Sequence, residues 1–234
     1  MIDVSNLWAK LVTMQNYFRT QAIGSGKRNR TRSTLIDSAI DVFSEKGIEE
    51  ASIHEITAIA GLANGTFYNH FKDKDELAFA SSEAIALEIA KVLDERMSEL
   101  DRGVSRIVVA SWALLKIAFS TEPWAYVLVG QYLRHPGVEG SAFQYMRADI
   151  ERAVAQGEVE TEVDTFLLEQ IASLMMAALR RLLDGGMQAD VLSRTCGNIL
   201  RLLGLTPVQA RREVERVSGH PLLDADLELS VLVR

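Results

Sequence analysis

From Asn64 to Lys72 the chain reads NGTFYNHFK, and Thr66, Tyr68, Asn69 and His70 put hydrogen-bonding side chains close together. Such groups suit recognition better than bond-making, since an Asn carboxamide can pair bidentately with adenine. Asn69 and His70 are candidates for hydrogen bonds to a base or a phosphate. His70 has a second reading, as a partly buried residue that sets the exit from its helix. Upstream, Lys27, Arg28, Arg30 and Arg32 lie within six positions that hold no acid. That cluster is either solvated charge or a phosphate-binding surface, and at least one of its members is expected to meet phosphate.

Catalytic constellations are missing. No GxSxG, HExxH or glycine-rich dinucleotide loop occurs, and His54, His70, His135 and His220 are scattered, away from Cys196. Asp73 and Asp75 stand at a helix start and read as caps rather than a metal pair. GSGK at 24–27 lacks the first glycine of a phosphate loop and has Arg28 where Ser or Thr should hold magnesium. We expect no enzyme, no metal and no cofactor.

The elements that must position the polar stretch are legible around it. Ile53, Ile56 and Ala60 recur at helical spacing, with Ser52 as the cap. Gly61 ends that helix, Leu62 plugs the corner, and a second short helix runs from about Asn64 to His70. Phe67 and Phe71 fall on its inner side. Two short helices joined by a glycine turn, the second rich in hydrogen-bonding groups, are the plan of a helix-turn-helix that reads a major groove. A preceding helix over 31–46 carries Leu35, Ile36, Ala39, Ile40 and Phe43 and ends at Gly47.

This run resembles the amino-terminal signature of TetR/AcrR-family transcriptional regulators. Phe43, Gly47, Ser52, Ile56, Ala60, Gly61, Leu62, Gly65, Thr66, Phe67, Tyr68, His70, Phe71, Lys74 and Leu77 fill its positions, over about residues 30 to 80. The resemblance implies an all-α fold, in which a three-helix helix-turn-helix head is joined by a long connector helix to a ligand-binding and dimerisation body. It implies double-stranded operator DNA as partner, and Tyr68 as a phosphate or thymine-methyl contact. The expected DNA surface is Lys27, Arg28, Arg30, Arg32, Ser52, Ala63, Asn64, Gly65, Thr66, Tyr68, Asn69, His70 and Lys74. Two positions depart from the signature. Thr57 replaces a small alanine, and Ala63 replaces the capping serine, so Asn64 is expected to take over as cap.

Net charge is −7, but the acids concentrate in 151–164 and 224–228, away from the basic head. Cys196 is the single cysteine, which fits a reducing cytoplasm. No signal peptide is read at the start, and Ile107–Ser120 is too short and too interrupted by Lys116 to span a membrane.

Three regions are expected: an extension over 1–26, the DNA-binding domain over 27–72, and the ligand-binding and dimerisation domain over 73–234. In the extension, Val4, Leu7, Trp8, Leu11, Met14 and Phe18 form a helical stripe, read as a packed helix, a mobile arm or residues before a natural start at Met14. Ala22–Gly26 reads as a flexible hinge. Asp73 and Glu76 open the connector with a capping-box pattern. Turn signals at 121–123, 135–137, 156–157 and 185–186 divide the body into five helices. Trp112, Phe119, Trp124, Tyr126, Phe143, Tyr145, Met146 and Met175 are core, or together they line a cavity for a small hydrophobic or aromatic effector. Leu167, Ile171, Leu174, Ala178, Leu182, Leu192, Thr195, Ile199 and Leu202 are expected at a four-helix homodimer interface, or in an intramolecular core. The leading expectation is an operator-binding repressor released by such an effector. The alternative is a small-molecule-binding or scaffolding protein that no longer binds DNA.

Overall fold

The computed structural model describes residues 16–135, 140–186, 188–220 and 223. The stripe from Val4 to Met14, the Pro136-Gly137 turn and the tail from 224 lie outside them. Among the described residues every regular element is helical.

The head comprises α1 (Tyr17–Gln21), α2 (Lys27–Glu50), α3 (Ile53–Ile59) and α4 (Asn64–Phe67). α2 breaks at Gly47, whose φ of +81° lets the chain turn where a side chain would be strained. Gly61, at φ +66°, does the same between α3 and α4. Leu35, Ile36, Ala39, Ile40 and Phe43 of α2 meet Ile56, Phe67 and Phe71 in one buried cluster. Each such side chain contributes about 1.5–3 kcal/mol on full burial.

α1 is fastened to α2 through Asp37, whose two carboxylate oxygens accept from the Phe18 N–H at 3.0 Å and the Arg19 N–H at 2.8 Å. These are orphan donors of the first turn of α1. Burial outweighs both bonds and pushes the Asp37 carboxyl up to about 6. Phe18 also stacks on Trp124, and Tyr17 meets that ring edge-on. The expected hinge at 22–26 is an ordered corner in which Ser25 donates from both its N–H and its hydroxyl to the Ala22 carbonyl.

α5 (Lys74–Arg96) is the connector. Asp73 caps it by accepting from the Glu76 N–H at 2.8 Å, and Glu76 accepts in return from the N–H of Lys72. The body follows as α6 (Gly103–Ser120), α7 (Glu122–Arg134), α8 (Phe143–Ala155), α9 (Thr165–Gly185) and α10 (Ala189–Leu202). α11 (Pro207–Arg216) opens with a Thr206–Gln209 capping box and buries Ala210 against the body, which settles the place of this late segment.

α6 is longer than the sequence pattern suggests. It runs 18 residues at a mean hydropathy of 1.4, long and apolar enough to cross a membrane by composition. Of that stretch 72% is buried inside the protein, so it serves as the core helix of the body. Its buried Arg106 is held by Asp149 and Asp94, each at 2.5 Å, and by the Met97 carbonyl at 2.7 Å.

The residues expected at a dimer interface need correction. Leu167, Ile171, Ala178, Leu182, Leu192, Thr195 and Ile199 are buried within the single chain, where α9 and α10 pack on each other and on α6, and α9 also on α7. Leu174 is half-buried against the same core, and only Leu202 reaches the surface. A regular apolar stripe is satisfied by whichever core is nearest, and here that core belongs to the same chain. The outward side of α9 instead carries Phe166, 64% exposed, with Ser173 and Ala177 about two and three turns further on.

Asp37→Ala should lower unfolding free energy by about 1–3 kcal/mol, because it strands two helix-end donors. Denaturant melts followed by Trp124 emission would show it, and an unchanged midpoint would mean that α1 is held by the aromatic contacts alone.

Candidate nucleic-acid interface and effector cavity

The reading face is set by what α4 buries. Phe67 and Phe71 are fully inside, so the residues between them point away. Tyr68 is 61% exposed with its ring edge-on to Phe67 at 5.2 Å, Asn69 is exposed, and Thr66 and His70 are half-buried. Ala63, Asn64 and Gly65 are exposed at the leading end, and a side chain added at Gly65 would meet nothing within 4 Å. Backbone can therefore approach a groove closely there. α4 ends at Phe67, earlier than the expected His70, and the chain continues as a turn.

Ser52 caps α3 by accepting from the Glu55 N–H, while its hydroxyl donates back to Glu55 at 2.8 Å. The Lys46 ammonium beside Glu55 holds that carboxyl down at about 2. At the start of α4 the structure corrects the capping expectation. Ala63 occupies the cap position without a side-chain acceptor, and Asn64 is the first helical residue. Its Oδ1 lies 2.5 Å from the fully buried Thr57 hydroxyl. Thr57, one of the two departures from the signature, thus pairs with Asn64 and ties α3 to α4.

The basic cluster reaches the same surface. Lys27, Arg28, Arg30 and Arg32 are exposed on the first two turns of α2. The Arg32 guanidinium sits over the Phe71 ring, 5.0 Å from its centre. His70 is less basic than usual, first through burial and then through the charges of Arg28 and Arg32, which places both arginines beside the exit of α4. Arg30 turns back to the Ser25 carbonyl at 2.5 Å. Lys74 departs from its expected role. Its ammonium donates to the Glu49 carbonyl at 2.7 Å and the Ala51 carbonyl at 2.9 Å, so it fastens the connector to the head.

A second feature lies in the body, where α5, α6, α7, α8 and α9 enclose a cavity of about 180 Å³. Phe143, Tyr145, Met146 and Met175 of the expected set line it. The other four do not. Cavity-facing positions on α6 are Ile107, Ala110, Ser111 and Leu114, so Trp112 and Phe119 sit on another face and pack on the core. Trp124 is used up by Tyr17 and Phe18, and Tyr126 points to solvent. Sequence reading missed Phe79, Leu128, Gln131 and Tyr132 in the wall. Leu128, Gln131, Tyr132 and His135 repeat at helical spacing along α7 and its cap, a signal hidden because three of these residue types are polar or amphipathic. Among the described residues no group of three or more His, Cys, Asp or Glu could hold a metal ion.

Short helices that bury one face and present polar and basic groups on the other define a helix-turn-helix DNA-binding protein. Residues 35–81 match the family model described as bacterial regulatory proteins, tetR family. An uncharacterized HTH-type transcriptional regulator of Haemophilus influenzae is 32% identical over 85 residues, which cover 36% of this chain but only 42% of that relative. The HTH-type transcriptional regulator SrpR of Pseudomonas putida is 26% identical over 203 residues, 78% of this chain and 90% of that protein. Among solved structures, RolR in complex with resorcinol superposes with a TM-score of 0.62 at 24% identity, over 81% of this chain and 95% of that one.

Tyr68→Ala should weaken binding to operator DNA by about 1–3 kcal/mol without moving the melting temperature, since the ring is outside the core. Titration of labelled operator with both proteins tests this, and a fall in melting temperature would show that the ring is structural.

Proposed function

We propose that this protein is a homodimeric repressor that sits on a near-palindromic operator and is released by a small apolar or aromatic molecule. The observation that carries the reading is the outward set Thr66, Tyr68 and Asn69 standing beside Arg28 and Arg32 on one surface, with an apolar cavity against the connector below. DNA recognition needs both parts of the head: arginines for phosphates, which supply affinity, and α4 for base edges, which supply specificity. Two heads about 34–36 Å apart would occupy successive major grooves. The outward faces of α9 and α10, with Phe166 and Leu202, are the surfaces we assign to the second copy. The family supports a place in the cytoplasm.

Effector control requires that the cavity and the head share an element. α7 is that element. Leu128, Gln131 and Tyr132 line the cavity, and Arg134, on the next turn, ion-pairs with Glu49 at the end of α2 and with Asp75 at the start of α5. Gly130 also faces Ile48 of the head. A molecule that binds the released geometry better than the DNA-bound one would shift α7 and α5 together and change head separation. RolR with its resorcinol lends the same fold an occupied relative.

The rival reading, a ligand-binding or scaffolding protein without DNA activity, is disfavoured by the exposed basic face, which serves no internal contact at Lys27, Arg28 or Asn69.

A gel shift with DNA from upstream of the protein's own gene tests the proposal. Binding should weaken steeply with salt, and replacing Arg28 and Arg32 together by Ala should reduce the log–log salt slope by about 2. No shift at low salt would leave the rival reading standing. Separately, Arg134→Ala should leave DNA binding without effector nearly unchanged and reduce the coupling between effector and DNA by about 0.5–2 kcal/mol. Full release in that variant would remove α7 from the route.

A further inference from the structure

The cavity wall is built for a particular kind of occupant. Gln131 is 6% exposed, yet its Oε1 has no hydrogen-bond partner. Of the buried side-chain atoms without a partner among the described residues (those of Thr121, Gln131 and Arg134), only the one on Gln131 belongs to the cavity lining. A buried carboxamide oxygen left unpaired is costly, and a bound molecule that supplies a donor removes the cost.

The charged groups of the wall are already answered by the protein. Asp94 and Asp149 share the Arg106 guanidinium, and Glu83 accepts from the Ser141 N–H at 2.5 Å. Among the described residues no lysine or arginine side chain lines the cavity. An anionic ligand would therefore meet three carboxylates against one guanidinium, with exposed His135 as the basic side chain of the wall itself, in a site of low dielectric where the net repulsion is poorly screened. A cationic ligand would find no carboxylate without a partner. The buried neutral polar groups of the wall are the Gln131 amide and the Ser111 hydroxyl, set among Leu93, Leu114, Phe143 and Met175, while Ser82, Tyr132 and Tyr145 are partly exposed.

We propose that the effector is an uncharged apolar molecule bearing a hydroxyl, held by the Gln131 carboxamide, and that carboxylates are rejected. The inference rests on the effector reading of the cavity given above. A hydroxyl is the favoured group because it donates and accepts, and so matches either end of the carboxamide. An apolar remainder is favoured because the buried wall around Gln131 and Ser111 is made of Leu93, Ile107, Leu128, Ile171 and Met175.

The test uses the full-length protein and a matched set of probes: 4-ethylphenol, ethylbenzene and 4-ethylbenzoate, each at about 1 mM, read by thermal unfolding and by titration. 4-Ethylphenol should raise the melting temperature and bind about tenfold tighter than ethylbenzene. 4-Ethylbenzoate should give no shift. In Gln131→Leu, and in Gln131→Met should the first variant not fold, the preference for 4-ethylphenol over ethylbenzene should vanish while ethylbenzene still binds. A stabilising 4-ethylbenzoate, or a phenol preference that survives in either variant, overturns the proposal. Should no probe stabilise the wild-type protein, this inference falls. Probes that bind in the expected order without loosening the operator complex would support the site and sink the effector reading alone.

Discussion

A four-residue helix has no stability of its own in water, because nucleation costs more than its few hydrogen bonds return. α4 exists only because Phe67 and Phe71 are buried against α2 and α3. Everything proposed for DNA follows from that burial. The inward pair fixes the rotation of the helix, and rotation decides which side chains look outward. The Thr57–Asn64 contact adds a polar fastening at the leading end, where no side-chain cap is present. Arg32 lies across Phe71, so the same ring that anchors α4 also sets the place of a cation on the proposed DNA face.

The head in turn is fixed to the body by few but well-placed polar groups. Lys74 reaches back to two carbonyls at the end of α2, and Arg134 reaches across to acids on α2 and α5. The backbone contacts are reinforced by close packing of α7 on α2. These joints are partly exposed, so their energies are modest. Modest joints suit the proposed control, in which the head changes position at low cost.

The body shows how one helix can serve two ends. α7 carries an apolar and amphipathic row toward the cavity and a single arginine toward the head. Arg106 plays a complementary part on α6. By drawing Asp94 and Asp149 to itself, it offsets part of the negative charge of the wall, so the chemistry of the cavity depends on a residue that does not line it.

Much of this was legible in the order of residues. Gly47 and Gly61, the apolar spacing from Leu35 to Phe43, and the caps at Ser52 and Asp73 are local signals. Local backbone preference and helical period express themselves before any distant contact forms. The run from Gly65 to Phe71 belongs with them, since its inward and outward sides follow from a period of 3.6 residues. The cavity and the fate of the α9 and α10 stripes were decided elsewhere. A leucine stripe says only that it must be covered, and whether its own chain or a second copy does so depends on where α6 and α7 come to rest. Likewise, Trp124 serves α1 rather than the cavity, Lys74 serves a joint rather than a phosphate, and Gln131 faces a void. Each outcome depends on long-range packing, and neighbours brought together across many tens of residues leave no periodic trace in the sequence.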